Sequence, residues 1–214
     1  ALAREVGFPV LLKASAGGGG KGIRPVAREE GFDAAFAEAA AEAVAVFGSG
    51  DLYVERYVGA ARHVEVQVFG DGAGGVIVLG ERDCSVQRRH QKLHEAAPSP
   101  VRSDEVRRGL GEAARARASG ISYAGAGTVE FLYDMDSKEF FFIEMNTRIQ
   151  VEHPVTEAVH GDDLVAAQLW FAATGEVRVS EAPEGLPEIH AIECRINAED
   201  PRSFLPHPGR IAHL

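Results

Sequence analysis

Apolar and polar positions fall into short runs of strand length over much of the chain, interrupted by a few longer stretches with helical starts and stops. His63-Val-Glu-Val-Gln-Val-Phe69 alternates strictly, so its valine side reads as core and only His63 invites a functional role. Further strand-like runs lie at 9–12, 75–79, 128–133, 140–143 and 189–197. Three stretches read as helices: 33–47 ahead of Gly48, 104–119 between Ser103 and Gly120, and 163–174 ahead of Gly175. Residues 1–7 read as the end of a helix entering a strand. This mixture predicts an α+β fold. Glu181-Ala-Pro183-Glu-Gly185-Leu-Pro187 reads as a boundary, dividing a unit over 1–180 from another that begins at 188 and is cut short at 214.

The runs 128–133 and 140–143 flank the polar segment Asp134-Met-Asp136-Ser137-Lys138-Glu139, a hairpin pattern. A turn centred on Ser137 sets Glu130 across from Glu144, and like charges so placed repel unless a cation lies between them. Two carboxylates and the amide oxygen of Asn146 are hard ligands suited to Mg2+ or Mn2+; no Cys/His cluster of the zinc type accompanies them. Beyond the hairpin, Glu144, Asn146, Arg148, Gln150 and Glu152 occupy every second position, opposite Met145, Thr147, Ile149 and Val151. Residues 144–152 are therefore expected to form one extended active-site strand with its functional groups on a single face.

Near the start, Lys13-Ala-Ser-Ala16 leads into Gly17-Gly18-Gly19-Gly20-Lys21-Gly22 between two apolar runs. Consecutive glycines let backbone N–H groups close over an anion, and Lys13 and Lys21 add positive charge, so a lid over nucleotide phosphates is expected. No Ser or Thr follows Lys21 and a strand comes next, which excludes a Walker A loop. A basic cluster, Arg88-Arg89-His90-Gln91-Lys92, stands against a net charge of −10 and an isoelectric point near 5.3. Without a wider basic surface it suits a small anion rather than nucleic acid. The 214 residues, 45% hydrophobic, suffice for one to two compact units. Two cysteines, no apolar signal segment and no membrane-length run point to a reducing compartment.

The lysine and glycine loop at 13–22, the run 81–92, Gly127-Thr-Val-Glu130-Phe, Phe142-Ile-Glu144-Met-Asn-Thr-Arg-Ile-Gln-Val-Glu-His-Pro154 and Ile192-Glu-Cys-Arg195-Ile-Asn-Ala-Glu-Asp200 together resemble the biotin carboxylase component of biotin-dependent carboxylases. The resemblance is collinear over nearly the whole chain. It implies an ATP-grasp fold followed by the start of the C-terminal domain. It also implies a ligase that uses MgATP (or MnATP) and bicarbonate to make carboxyphosphate and then carboxylates biotin on a carrier protein. Position by position, it implies that Lys13 binds ATP, that Gly17 to Gly20 close over the phosphates, and that Glu55 with the backbone near Val58 holds adenine. His63, Gln87 and His90 would surround the ribose. Glu130 and Glu144 would hold metal with Asn146 close to a second ion. Lys92, Arg148, Gln150 and the backbone of Val151 would cradle bicarbonate, Glu152 would be the general base, and Arg195 would stabilise charge on the biotin ureido oxygen. By residue type alone Arg195 reads equally as a salt-bridged structural arginine.

Ala16 replaces a glycine common in the family, and His94 replaces an acidic residue; neither removes a catalytic group. Partners implied are the biotin carboxyl carrier protein, a carboxyltransferase and a second copy of the longer parent, in the cytoplasm by default, with a mitochondrial location open. Family members carry a preceding nucleotide-fold domain and a longer C-terminal domain, so the chain is expected to be a fragment, inactive by itself. Another ATP-grasp ligase, or a non-catalytic nucleotide-binding or assembly module, are the alternative readings.

Overall fold

The computed structural model describes residues 2–17, 22–89, 91–101, 103–183 and 188–210. They divide into two compact units: Ala1–Ala61 with Arg88–Gln91 and Asp134–Ser137, and Arg62–Gln87 with Lys92–Tyr133 and Lys138–Leu214.

In the first unit, a short helix α1 (Leu2–Val6) leads into strand β1 (Val10–Ala14), which pairs antiparallel with β2 (Ile23–Val26) and with β3 (Leu52–Arg56). Helix α2 (Phe32–Phe47) is an alanine-rich helix that ends where Gly48 takes a left-handed φ of 77° and bonds back to Val44 O. Val10, Leu12, Val26 and Ala39 form this unit's core, with Phe8 and Phe32 packed against it and edge to face with each other. The glycine loop joins β1 to β2. Gly22 closes it at φ +74°, where a Cβ would stand 2.9 Å from Ala14 Cβ, so only glycine fits the turn. Arg24 on β2 ties the strand to α2 through Glu38 and Glu42, which share one helix face at i, i+4 spacing.

The second unit holds a six-stranded sheet in the order β8-β7-β4-β5-β6-β9. Its strands are β4 (Ala61–Asp71), β5 (Val76–Arg88), β6 (Gln91–Ala97), β7 (Ala124–Asp134), β8 (Phe140–Asn146) and β9 (Ala191–Cys194). Helix α3 (Asp104–Gly120) is capped by Ser103, whose hydroxyl accepts from Val106 N. It packs Leu110, Ala114 and Ala118 against Val64, Val66 and Val68 of β4, so the valine side is core, as the alternation predicts. The opposite side of β4 carries Glu65, Gln67 and Phe69; Phe69 packs with Leu164 and Ala167 of α5 (Leu164–Thr174), while the two polar residues are fully buried. Helix α4 (His153–His160) begins with Pro154 in its first turn. The chain from 188 onward contributes β9, which pairs with β6 and sets Glu193 opposite Glu95. Among the described residues no helix is long and apolar enough to cross a membrane.

Candidate active site

The polar side of β4 begins the site. Glu65 faces Arg82 of β5 directly across the ladder. Arg82 is wholly buried, and its five N–H groups meet five acceptors. Nε bonds Glu65 Oε1 at 2.7 Å, Nη1 bonds Gln67 Oε1 at 2.6 Å and Thr156 Oγ1 at 2.8 Å, and Nη2 bonds Thr128 Oγ1 at 3.2 Å and Gln150 Oε1 at 3.3 Å.

Lys92 on β6 continues the network from the other oxygen of Glu65. Its ammonium bonds Glu65 Oε2 at 2.5 Å, Glu152 Oε1 at 2.6 Å and Glu130 Oε1 at 3.1 Å, one carboxylate for each N–H. Burial disfavours the lysine's charge, but these carboxylates outweigh it and raise its pKa. Burial likewise acts against the Glu65 carboxylate, and Arg82 and Lys92 more than offset it, lowering its pKa. Glu130 is held at about 2: burial pushes it up, while His63, Lys92 and Gln150 pull it further down. Its oxygens also receive Asn146 Nδ2 at 2.9 Å and Gln150 Nε2 at 3.0 Å, and His63 Nε2 stands 2.9 Å from Oε2. Gln87 Nε2 lies 2.9 Å from His63 Nδ1, so Gln87, His63 and Glu130 form a line.

Glu152, 2% exposed, stands between two cations: Lys92 on Oε1, and Arg195 Nη2 at 2.8 Å on Oε2. Arg195 is fixed in turn by Glu95 Oε1, 2.7 Å from its Nε, and by its own backbone N–H on Leu93 O at 2.9 Å. Burial raises the Glu95 pKa despite that arginine. Lys92, Glu130, Asn146, Gln150, Glu152, Arg195, His63 and Gln87 are thus brought together within the second unit.

Other expectations need correction or fall elsewhere. Residues 144–152 do not form one strand: β8 ends at Asn146, the chain turns, and Glu152 occupies the cap of α4. Pro154 can open a helix but cannot continue a ladder, and that ends the extended stretch. The alternation therefore does not put all five groups on one face. Gln150 and Glu152 are buried, whereas Arg148 is exposed and donates to Ile149 O and, at 3.5 Å, to Asn146 Oδ1. Val151 is exposed as well. Glu144 does pair with Glu130 in register, but it is exposed while Glu130 is buried. Two carboxylates and an amide oxygen do lie along this hairpin, a fitting donor set for Mg2+ or Mn2+. A cation at Glu130 would compete with the donors already on it, Lys92 among them.

In the first unit, Lys13 of β1 pairs with Glu55 of β3, Val58 follows that strand half-buried, and Gly17 donates to Ala14 O at 2.9 Å. Gly18, Gly19, Gly20 and His90 lie outside the described residues. Sequence reasoning missed Glu65, Gln67, Arg82, Glu95, Thr128 and Thr156. The signal for two of them was present: in 63–69 the residues between the valines are an acid and an amide, and β4 is buried on both sides.

Residues 1–179 match the family model described as carbamoyl-phosphate synthase L chain, ATP binding domain. The chain is 50% identical over 214 residues to the biotin carboxylase of Haemophilus influenzae, covering all of this chain and 47% of that protein. It thus spans about half the length of the curated relatives it matches. Among solved structures it is similar to a Campylobacter jejuni biotin carboxylase in complex with βγ-ATP, with a TM-score of 0.87, 48% identity, and coverage of 99% of this chain and 47% of that one. It is also similar to the biotin carboxylase domain dimer of Hydrogenobacter thermophilus 2-oxoglutarate carboxylase, in complex with MgADP, ADP and bicarbonate, with a TM-score of 0.86, 51% identity, and coverage of 96% and 45%. Taken with the α+β fold and the buried lysine and carboxylate cluster, these matches show that the chain belongs to the carbamoyl-phosphate synthase L chain ATP-binding domain family and, within it, to the ATP-grasp domains of biotin carboxylases.

Proposed function

We infer that this chain is the ATP-binding part of an enzyme that carboxylates biotin on a carrier protein at the expense of ATP and bicarbonate, the first half-reaction of a biotin-dependent carboxylase. The observation that carries the reading is Glu152 gripped by Lys92 on one oxygen and Arg195 on the other. A base that must take a proton from bicarbonate needs cations beside it to hold that anion. Both cations are satisfied by carboxylates in this structure, so bicarbonate binds by replacing a carboxylate contact on Lys92. Gln150, fixed between Arg82 and Glu130, offers its amide at the same place.

Glu152 accepts the bicarbonate proton, the resulting oxygen attacks the γ-phosphate, and ADP leaves. Lys13 and the glycine loop contribute charge and backbone donors for the phosphates. A divalent ion held by Glu130, Glu144 and Asn146 would supply charge neutralisation for the phosphates. Arg195 then stabilises negative charge on the ureido oxygen while N1 of biotin gives its proton to the phosphate and takes the carboxyl group of carboxyphosphate, inorganic phosphate leaving. Residues 1–180 serve as the ATP-grasp unit, and 188–214 open the next domain and bring Arg195 to the site. The whole protein acts with a carrier protein, a carboxyltransferase that selects the final acceptor, and a second copy of itself.

ATP turnover by the whole protein with Mg2+, with and without bicarbonate and free biotin, tests this. Turnover that requires bicarbonate and is stimulated by biotin is expected. Turnover indifferent to both replaces this reading with another ATP-grasp ligase, a reading that the breadth of the matched family model favours as second. ATP binding without turnover replaces it with a nucleotide-binding module.

A further inference from the structure

A cavity of about 110 Å3 lies in the second unit, walled by Leu79 and Glu81 of β5, Arg107 of α3, and Thr156 and His160 of α4. Apolar surface comes from Leu79, Ala97, Pro98 and Val159. One water needs roughly 10–15 Å3 of such space, and an apolar cavity of about 150 Å3 holds benzene, so this smaller one has room for a molecule of about four to five heavy atoms.

The polar groups in the wall define what enters. Glu81 takes Arg107 through Nε at 2.9 Å and Nη2 at 3.2 Å, which balances the two charges. Arg107 Nη1 is left buried without a hydrogen-bond partner among the described residues, and so is His160 Nε2. The His160 side chain is only 7% exposed, and its Nδ1 stands 3.5 Å from Asp162 Oδ2. In the neutral ring, an N–H on Nδ1 facing that carboxylate leaves Nε2 as an acceptor. Glu81 Oε1, though within ion-pair distance of Arg107 Nε, also has no hydrogen-bond donor among the described residues, so the wall presents one unused donor and two unused acceptors, and buried groups of this kind are costly when unmet. With Glu81 and Arg107 already paired, an ionic guest would be buried without a counter-charge.

We propose that this cavity is a second ligand site, for a small uncharged amide- or urea-type molecule whose carbonyl accepts from Arg107 Nη1 and whose N–H donates to His160 Nε2. Thr156 lines the cavity and accepts from Arg82, so the guest sits one hydrogen bond from the guanidinium that orders Glu65 and Lys92.

The probe is N-methylurea, a five-heavy-atom urea, titrated calorimetrically into the whole protein and soaked into its crystals. Saturable binding is expected, with density in the cavity touching Arg107 and His160. At least tenfold weaker binding is expected in Ala97→Leu, which fills the space, and in His160→Phe, which removes the acceptor. No saturable binding, density for ordered waters only, density elsewhere only, or the parent's affinity retained in either variant overturns the proposal.

Discussion

Arg82 distributes its guanidinium over two strands and two further segments, and every acceptor it meets is itself buried. Removing it leaves Glu65 with Lys92 alone and Gln67, Thr128, Gln150 and Thr156 without that donor, so Arg82→Met is expected to cost about 3–5 kcal/mol by denaturant unfolding. Arg82→Lys is expected to recover little of this, because one ammonium cannot reproduce a five-donor fork. A loss below about 1 kcal/mol in Arg82→Met would show that the network is incidental. At Glu152 the expected effect is on chemistry instead. Glu152→Gln keeps the shape but not the basicity, so the whole protein is expected to bind MgATP while bicarbonate-dependent turnover is lost. Unchanged turnover would remove Glu152 as the base.

Secondary elements were legible where local chemistry decides them. Ser103 and Asp163 both cap helices through their side chains, and Gly48 and Gly175 close helices in left-handed conformation, because those residue types act on the backbone within a turn or two. The pairing of Glu130 with Glu144 was legible from the hairpin pattern, but the register beside the turn was not: Tyr133 pairs with Phe140, one residue off a turn centred on Ser137, and an irregularity between Glu130 and Phe131 brings the two glutamates opposite each other. Helix α4 was not legible, since polar groups at every second residue from Glu144 to Glu152 mimic a strand even though Pro154 starts a helix. Nor was the burial of Glu65 and Gln67. A polar strand face reads as solvated unless its partners are known, and those partners, Arg82, Lys92 and Gly127, are 15 to 60 residues away. Close backbone approach is equally silent in sequence. Gly70 ends the buried run of β4, and a Cβ there would lie 2.0 Å from Tyr123 O. Gly70→Ala is therefore expected to lose about 3 kcal/mol or more in thermal or denaturant unfolding, well beyond a strand-propensity effect. A loss of a few tenths would mean that the 122–124 segment yields freely.

Across the molecule, buried carboxyls divide into two groups with opposite pH behaviour. Burial raises Glu81, Glu95 and Glu193, so these bind protons in the folded state before the unfolded chain does. As pH falls from neutral toward 4.5, the ordinary glutamate value, that difference adds stability. Glu65 and Glu130 behave oppositely, being lowered by Lys92 and its neighbours. Their contribution is fully present above 4.5 and is lost as pH falls from there toward the Glu130 value of about 2. For Glu130 alone it is on the order of 3 kcal/mol. The unfolding midpoint is therefore expected to hold or rise between pH 7.5 and about 5 and to drop steeply below about 4.5. Glu130→Gln cannot gain a proton, so it is expected to lower stability at neutral pH while making the acid limb shallower. An acid limb with the same slope in Glu130→Gln and the parent would show that other carboxylates carry the transition, and that the Lys92 cluster is not what acid dismantles.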